Sequence, residues 1–130
     1  MSDKLFTEYE LRIGSYVTSK TWGGTHKVNA VSFRNAVLVV AVNGFDHMAK
    51  DGLFDELRAI PLTQSILNEF GFQPNKHCDT SYFLEVTNTR LGTSCKVTYD
   101  MSESRFQYLH ELQDYIYGCT GVMIETTNTV

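Results

Sequence analysis

The apolar positions follow two different periods, one in each half of the chain. In the first half they alternate, or run together over short stretches broken by glycine and asparagine, which is the pattern of strands and tight turns. Leu11 to Thr18 is rich in Ile, Tyr and Val, and Gly14 within it marks a bulge or a close backbone approach. Thr21-Trp22-Gly23-Gly24 reads as a turn, His26 to Phe33 as an alternating strand, and Arg34-Asn35 as a second turn. Ala36 to Val42 is almost continuously apolar, as expected of a strand buried on both faces. Asn43-Gly44, two residues that accept positive φ, predicts a hairpin into Phe45–Ala49. Lys50-Asp51-Gly52 turns the chain again into a last strand within Leu53–Ile60. Five short strands at this spacing suit a small barrel, whose closure removes exposed edges.

Pro61 ends this pattern. Thr63 is the N-cap of a helix over Gln64–Phe70, with Leu62 and Leu67 as a hydrophobic staple and Gly71 at the C′ position. After a Pro74-Asn75 loop, Tyr82–Thr87 and Cys95–Tyr99 pair as a hairpin whose turn uses Gly92. Ser104 with Gln107 resembles a capping box opening a longer helix to about Tyr117. Gly118 and Gly121 stop that helix, and Val122–Glu125 adds a short strand. On its wheel Tyr108, Leu109, Leu112, Tyr115, Ile116 and Cys119 form one apolar arc. Gln113 falls on the edge that should be buried, where a carboxamide must find a partner: backbone in the hairpin or barrel, or a ligand above it. His110 lies at the boundary between faces and reads as a polar residue bonding a neighbouring loop, and only secondarily as an acid or base.

Composition narrows the function classes. The chain has 130 residues, 42% of them apolar, and fifteen acids against eleven bases give a formal charge of −4, which argues against a generally cationic nucleic-acid binder. No apolar run approaches the ~20 residues of a membrane-spanning helix. Met1-Ser2-Asp3-Lys4 carries no export signal, and three irregularly spaced cysteines (Cys78, Cys95, Cys119) fit reduced thiols in a cytoplasm, that of the host cell if the protein is phage-encoded. Cys95 and Cys119 fall in apolar periodic segments and are expected in the core.

Three stretches carry a family resemblance: Glu10-Leu11-Arg12-Ile13-Gly14-Ser15-Tyr16-Val17, then Ala59-Ile60-Pro61-Leu62-Thr63 running on to Phe70-Gly71-Phe72, then Tyr108-Leu109-His110-Glu111-Leu112-Gln113-Asp114 running on to Thr120-Gly121. Together, over roughly a third of the chain, these resemble a group of small uncharacterised proteins of Bacteroides-type bacteria and their phages, with the patterns LRIGN-x-V, PIPLTEEWLLKFGF and YLHQLQNLYFALTGEEL. Ser15 stands where that pattern has Asn, and Gln64-Ser65 and Val122-Met123 stand where it has acidic pairs. The resemblance implies a phage or mobile-element setting and brings no activity with it.

Chemistry-bearing motifs are sparse. His77-Cys78-Asp79 has no metal-ligand spacing and no orienting third group, so it reads as a polar loop. Gly23-Gly24 opens a strand, where no helix N-terminus would receive a phosphate. Asp46, Asp51, Asp55 and Glu56 lack the alternation of a calcium loop. No metal site and no cofactor is expected, and the chain reads as a binding protein rather than an enzyme. One stretch stands out. From Leu11 to Phe45 there is no acid, while Arg12, Lys20, Lys27 and Arg34 are interleaved with Tyr16, Trp22 and Phe33. Residues 1–62 hold seven acids and seven bases; residues 63–130 hold eight acids and four bases.

The expected architecture is α+β: a small N-terminal SH3-like β-barrel over residues 1–61, then an α-β-β-α subdomain over residues 62–125 packed on it, and a flexible tail at 126–130. The expected function is that of a phage- or prophage-encoded accessory protein that binds a host or phage protein, or a second copy of itself, through its many aromatic side chains. The alternative is a binder of small anions, nucleotides or single-stranded nucleic acid that uses Trp22, Lys20, Lys27, Arg34 and Tyr16 on the barrel face.

Overall fold

A computed structural model describes residues 5–7, 10–21, 23–35, 37–42, 45–49, 53–103 and 106–126. It is mostly β with two helices, α+β overall, and the chain divides into two compact units, Met1–Pro61 and Leu62–Val130.

The first unit is a six-stranded antiparallel sheet of β1 (Leu5–Thr7), β2 (Tyr16–Ser19), β3 (Gly23–Arg34), β4 (Val37–Val42), β5 (Phe45–Met48) and β6 (Leu53–Arg58), in the order β1-β6-β2-β3-β4-β5. The sheet curls into a half-barrel. Strand β1, three residues that sequence periodicity does not register, is a strand beyond the five expected; it pairs with β6 and places Phe6 opposite Phe54.

Strand β4 behaves as its apolar run predicts. Leu38, Val40 and Val42 are buried on one face, and Val39 is 2% exposed on the other. Val39 lies between Ser32 and Met48 in the register, and the 2.8 Å Arg34–Asp46 ion pair runs diagonally across that row. Val42 sits opposite Phe45 across the expected hairpin, whose Asn43-Gly44 turn lies outside the described residues. Asn35, at φ 52°, makes the β3–β4 turn. Gly14, at φ 96°, is the close approach foreseen: its N–H donates to the Val28 carbonyl at 2.8 Å, and the Val28 N–H returns to the Ser15 carbonyl at 2.8 Å. Ser15 is fully buried there, and its hydroxyl accepts from the Arg12 N–H.

The second unit is a three-stranded sheet, β7 (Gln73–Asn75), β8 (Cys78–Asn88) and β9 (Thr93–Asp100) in that order, with helices α1 (Gln64–Glu69) and α2 (Leu109–Thr120). The Tyr82, Val86, Val97 and Tyr99 face is buried, whereas Glu85, Thr87, Lys96 and Thr98 face water, the one-sided burial usual for antiparallel sheets. Helix α1 is capped as expected. The Thr63 hydroxyl accepts from the Ile66 N–H, Gly71 takes φ 88°, and the Gly71 and Phe72 N–H groups return to the Asn68 and Leu67 carbonyls. That is the Schellman arrangement, closed by buried Leu67 and Phe72.

Helix α2 starts later than the Ser104 pattern suggests. Ser104 lies outside the described residues, and Tyr108 is the N-cap. The Glu111 carboxylate accepts from the Tyr108 and Gln107 N–H groups, satisfying the orphan donors that Ser104 was expected to serve. Three further expectations are corrected. Val122–Glu125 is not a strand; His110 is buried at 2% exposure rather than at a face boundary; and Cys95 and Cys119 are exposed, like Cys78. Both misplaced cysteines sit where periodicity decays, near a hairpin end and in a last helical turn. Of the tail, 127–130 lie outside the described residues.

The end of α2 is held by Asn88. Its amide donates to the Thr120 carbonyl at 2.9 Å, while its oxygen accepts from the Arg90 and Leu91 N–H groups of the hairpin turn. Gly121 continues the chain at φ 75°, and a Cβ there would come within 3.0 Å of the Asn88 amide. Gly121→Ala should therefore cost about 1 kcal/mol, and Asn88→Ala about 1–3 kcal/mol, in urea unfolding. Because both act on one contact, the double variant should lose less than the sum.

Candidate functional site

The expected basic-aromatic residues are distributed along β2 and β3 and their turns. Tyr16 and Lys27 face each other in the β2–β3 register, with Tyr16 only 6% exposed and Lys27 half-buried. Burial therefore takes the Tyr16 ring into the packing of the sheet. Arg34 is engaged by Asp46, Lys20 is exposed, and Trp22 lies outside the described residues.

The turn around Trp22 is nevertheless fixed at both ends. Glu56 reaches from β6 so that one carboxylate oxygen accepts from the Ser19 hydroxyl at 2.9 Å and the Thr21 N–H at 2.8 Å, while the Lys20 N–H donates to the Glu56 carbonyl at 2.8 Å. On the other side the His26 ring nitrogen donates to the Gly23 carbonyl at 2.6 Å. The bonds from Thr21 and Ser19 hold the Glu56 carboxyl below the ordinary carboxylate range. His47 on β5 goes the other way. Burial pushes its imidazole pKa down, against the opposing charges of Glu56 and Asp46.

Two other features emerge that sequence reasoning missed. The first is an apolar margin on the curled sheet. Phe33 and Phe45 share the sheet face of buried Leu38 and Val42, yet are 63% and 56% exposed. Met48, on the opposite face of β5, is 49% exposed. Strand β5 is an outermost strand, so two large apolar side chains flank a sheet edge.

The second feature is a cavity of about 270 Å³ in the second unit, beside β9, which is likewise an outer strand. Ser81, Thr98 and Asp100 line it from the wet sheet face, and Tyr99, Phe106, Leu112 and Tyr115 from the helix side. The Tyr99 hydroxyl donates to the Phe106 carbonyl at 2.7 Å, locking the segment before α2. The Phe106 ring lies 6.2 Å from Tyr99 and 5.2 Å from Tyr115, centre to centre. Asp100 Oδ1 accepts from the Ser102 hydroxyl at 2.7 Å, the Ser102 N–H at 2.9 Å and the Thr80 hydroxyl at 2.8 Å. The Ser102 and Thr80 bonds lower the Asp100 pKa, so the group is an anion at neutral pH. Burial, with the charges of Glu111 and Asp100, raises the Tyr99 pKa and keeps it a neutral donor.

Gln113 is not part of this cavity. It is fully buried and donates to the Ile124 carbonyl at 3.2 Å, a backbone partner in the segment after α2. Of the His77-Cys78-Asp79 tripeptide, His77 lies in the β7–β8 turn and Cys78 and Asp79 open β8; all three are exposed, and the His77 N–H donates to the Asn75 side chain. Among the described residues no group of three or more His, Cys, Asp or Glu side chains gathers to hold a metal ion, and no helix is long and apolar enough to cross a membrane.

The depressed Glu56 carboxyl has a pH consequence. A group whose folded pKa lies below its unfolded value stabilises the fold above the unfolded pKa and loses that contribution as pH falls through the folded one. Thermal midpoints measured from neutral pH down into the carboxylate range should decline on acidification, and Glu56→Gln should flatten that decline. An unchanged acid limb would mean that the Ser19–Thr21–Glu56 bonds do not survive in solution.

Compared with protein-family models, curated proteins and solved structures, the chain finds no match in any of the three.

Proposed function

We propose that the protein is a non-enzymatic interaction module that binds a host or phage protein through the β5 margin of its curled sheet. The observation that carries this reading is the exposure of Phe45 and Met48 on an outermost strand, with exposed Phe33 on the Phe45 face of the same sheet two strands further in. An outermost strand can receive an added strand along its edge. Large apolar side chains on both faces would supply the buried anchors such an interface needs.

We assign the first unit to the SH3-like class. What supports it is the β2-β3-β4-β5 meander with β6 returning to pair with β2, where Thr18 faces Arg58. The phage or prophage setting and the cytoplasmic location rest on the three motifs around Leu11, Pro61 and Leu109 and on the cysteine usage.

Neither exposed phenylalanine is a core residue, so Phe33→Ser with Phe45→Ser should change stability by only about 0.5 kcal/mol per site. The wild-type chain should retain a protein partner from host or phage-infected lysate, or self-associate in light scattering, and the double variant should do neither. A strictly monomeric wild type that retains nothing, or a variant that retains the same partner equally well, would overturn the proposal.

A further inference from the structure

The cavity beside β9 combines features that select one kind of ligand. Its fixed charge is the Asp100 carboxylate, whose three hydrogen bonds all fall on Oδ1; among the described residues none falls on Oδ2. One oxygen is thus held rigidly and the other is left to accept. The charge of Glu111, strong enough to bear on Tyr99, adds to the negative potential, and residues 63–130 carry eight acids against four bases. A cation on the same sheet face, Lys96, is held over the Phe83 ring at 4.6 Å, so among the lining residues the charge is that of Asp100. A bare metal ion would find a single carboxylate and no gathered ligand set.

The rest of the lining favours an organic group. Phe106 and Tyr115, with Tyr99 behind them, present π surface, and a cation near an aromatic face is attracted by the ring quadrupole. Ser81 and Thr98 line the polar side, and both residue types carry oxygens that accept from N–H groups. A volume of about 270 Å³ suits one head group and a short alkyl stem rather than a nucleotide.

We infer that the β9 cavity is a binding site for an alkylammonium or guanidinium group, with Asp100 as its counter-ion and Phe106 and Tyr115 as its aromatic walls. The same chemistry is offered by a free polyamine and by a lysine or arginine side chain of a partner. This site lies in the second unit and rests on none of the residues assigned to the β5 margin, so either reading can fail alone.

Butylammonium chloride titrated into the ¹⁵N-labelled full chain should give saturable amide shifts centred on Thr98, Asp100, Phe106 and Tyr115. Butan-1-ol, which has the same stem without the charge, should bind roughly tenfold more weakly. Asp100→Asn keeps the Oδ1 acceptor and removes the charge, and should weaken butylammonium by a similar factor while leaving butan-1-ol unchanged. Tyr115→Leu, at an exposed position, should weaken butylammonium several-fold and covers the case in which Asp100→Asn fails to fold. Tighter binding of spermidine than of a Gly-Lys-Gly peptide would support a free polyamine as the source, and the reverse a partner side chain. Equal binding of butan-1-ol, full affinity in either folded variant, or shifts that never saturate would overturn the site.

Discussion

A carboxamide shut away from water donates to the Ile124 carbonyl, and a second carboxamide, on Asn88, donates to the carbonyl of Thr120. These two bonds illustrate the constraint on which the second unit depends. Two of its elements are short, α1 with six residues and β7 with three, so most of their backbone groups lie at element ends where no ladder or helix can pair them. Thr63, Glu111, Asn88 and Gln113 each supply the missing partner from a side chain. The first unit meets the same demand with Ser15 on the Arg12 N–H and Glu56 on the Thr21 N–H. Each bond contributes only about 1 kcal/mol net, but where the group is buried, as the Gln113 carboxamide is, leaving it unpaired costs more, so such a residue specifies the fold more than it stabilises it.

That constraint explains what was legible in the sequence. Thr63 and Gly71 were readable because capping is local: the residue, its spacing and its partner all fall within one turn. The apolar run of β4 was readable because a strand with neighbours on both sides has little need of polar positions. Glu111 is local too, but Tyr108 is not a residue type favoured at an N-cap, so the Ser104–Gln107 pattern upstream is the stronger signal in the sequence. Non-local solutions left no such trace. Three-residue strands such as β1 and β7 carry too few positions to show a period, and their existence depends on β6 and β8 being there to receive them. Gln113 was legible as a buried amide needing a backbone partner, but not as one needing Ile124.

The candidate sites were harder still, since each is assembled by register. Tyr16, Lys27 and Arg34 looked like a single face when counted along the chain; folding buries the first ring and pairs the last cation. Phe33 and Phe45 are separated by a whole hairpin and meet one face only because Leu38 and Val42 share a parity on β4. The cavity beside β9 draws on β8, β9, the segment before α2 and α2 itself. The one sequence-level hint would have been Asp100 followed at the second position by Ser102, a pattern that folds a carboxylate back onto its own backbone.

The division of charge gives these placements a common logic. The first unit and its neighbourhood are neutral, seven acids balancing seven bases over residues 1–62, and its prominent exposed groups are apolar. All of the formal excess of −4 falls on residues 63–130. Exposed apolar side chains at a sheet edge recognise by shape and desolvation, a mechanism largely indifferent to salt. A fixed carboxylate in a negative field recognises by charge, with aromatic walls to reject a hydrated metal ion in favour of an organic one. Two units of one small chain thus present surfaces that respond to different chemistry and different solution conditions. An intra-sheet ion pair such as Arg34–Asp46 fits the same division: it neutralises a local cation, while Ile13, Phe33, Phe45 and Met48 are exposed apolar side chains of the same unit.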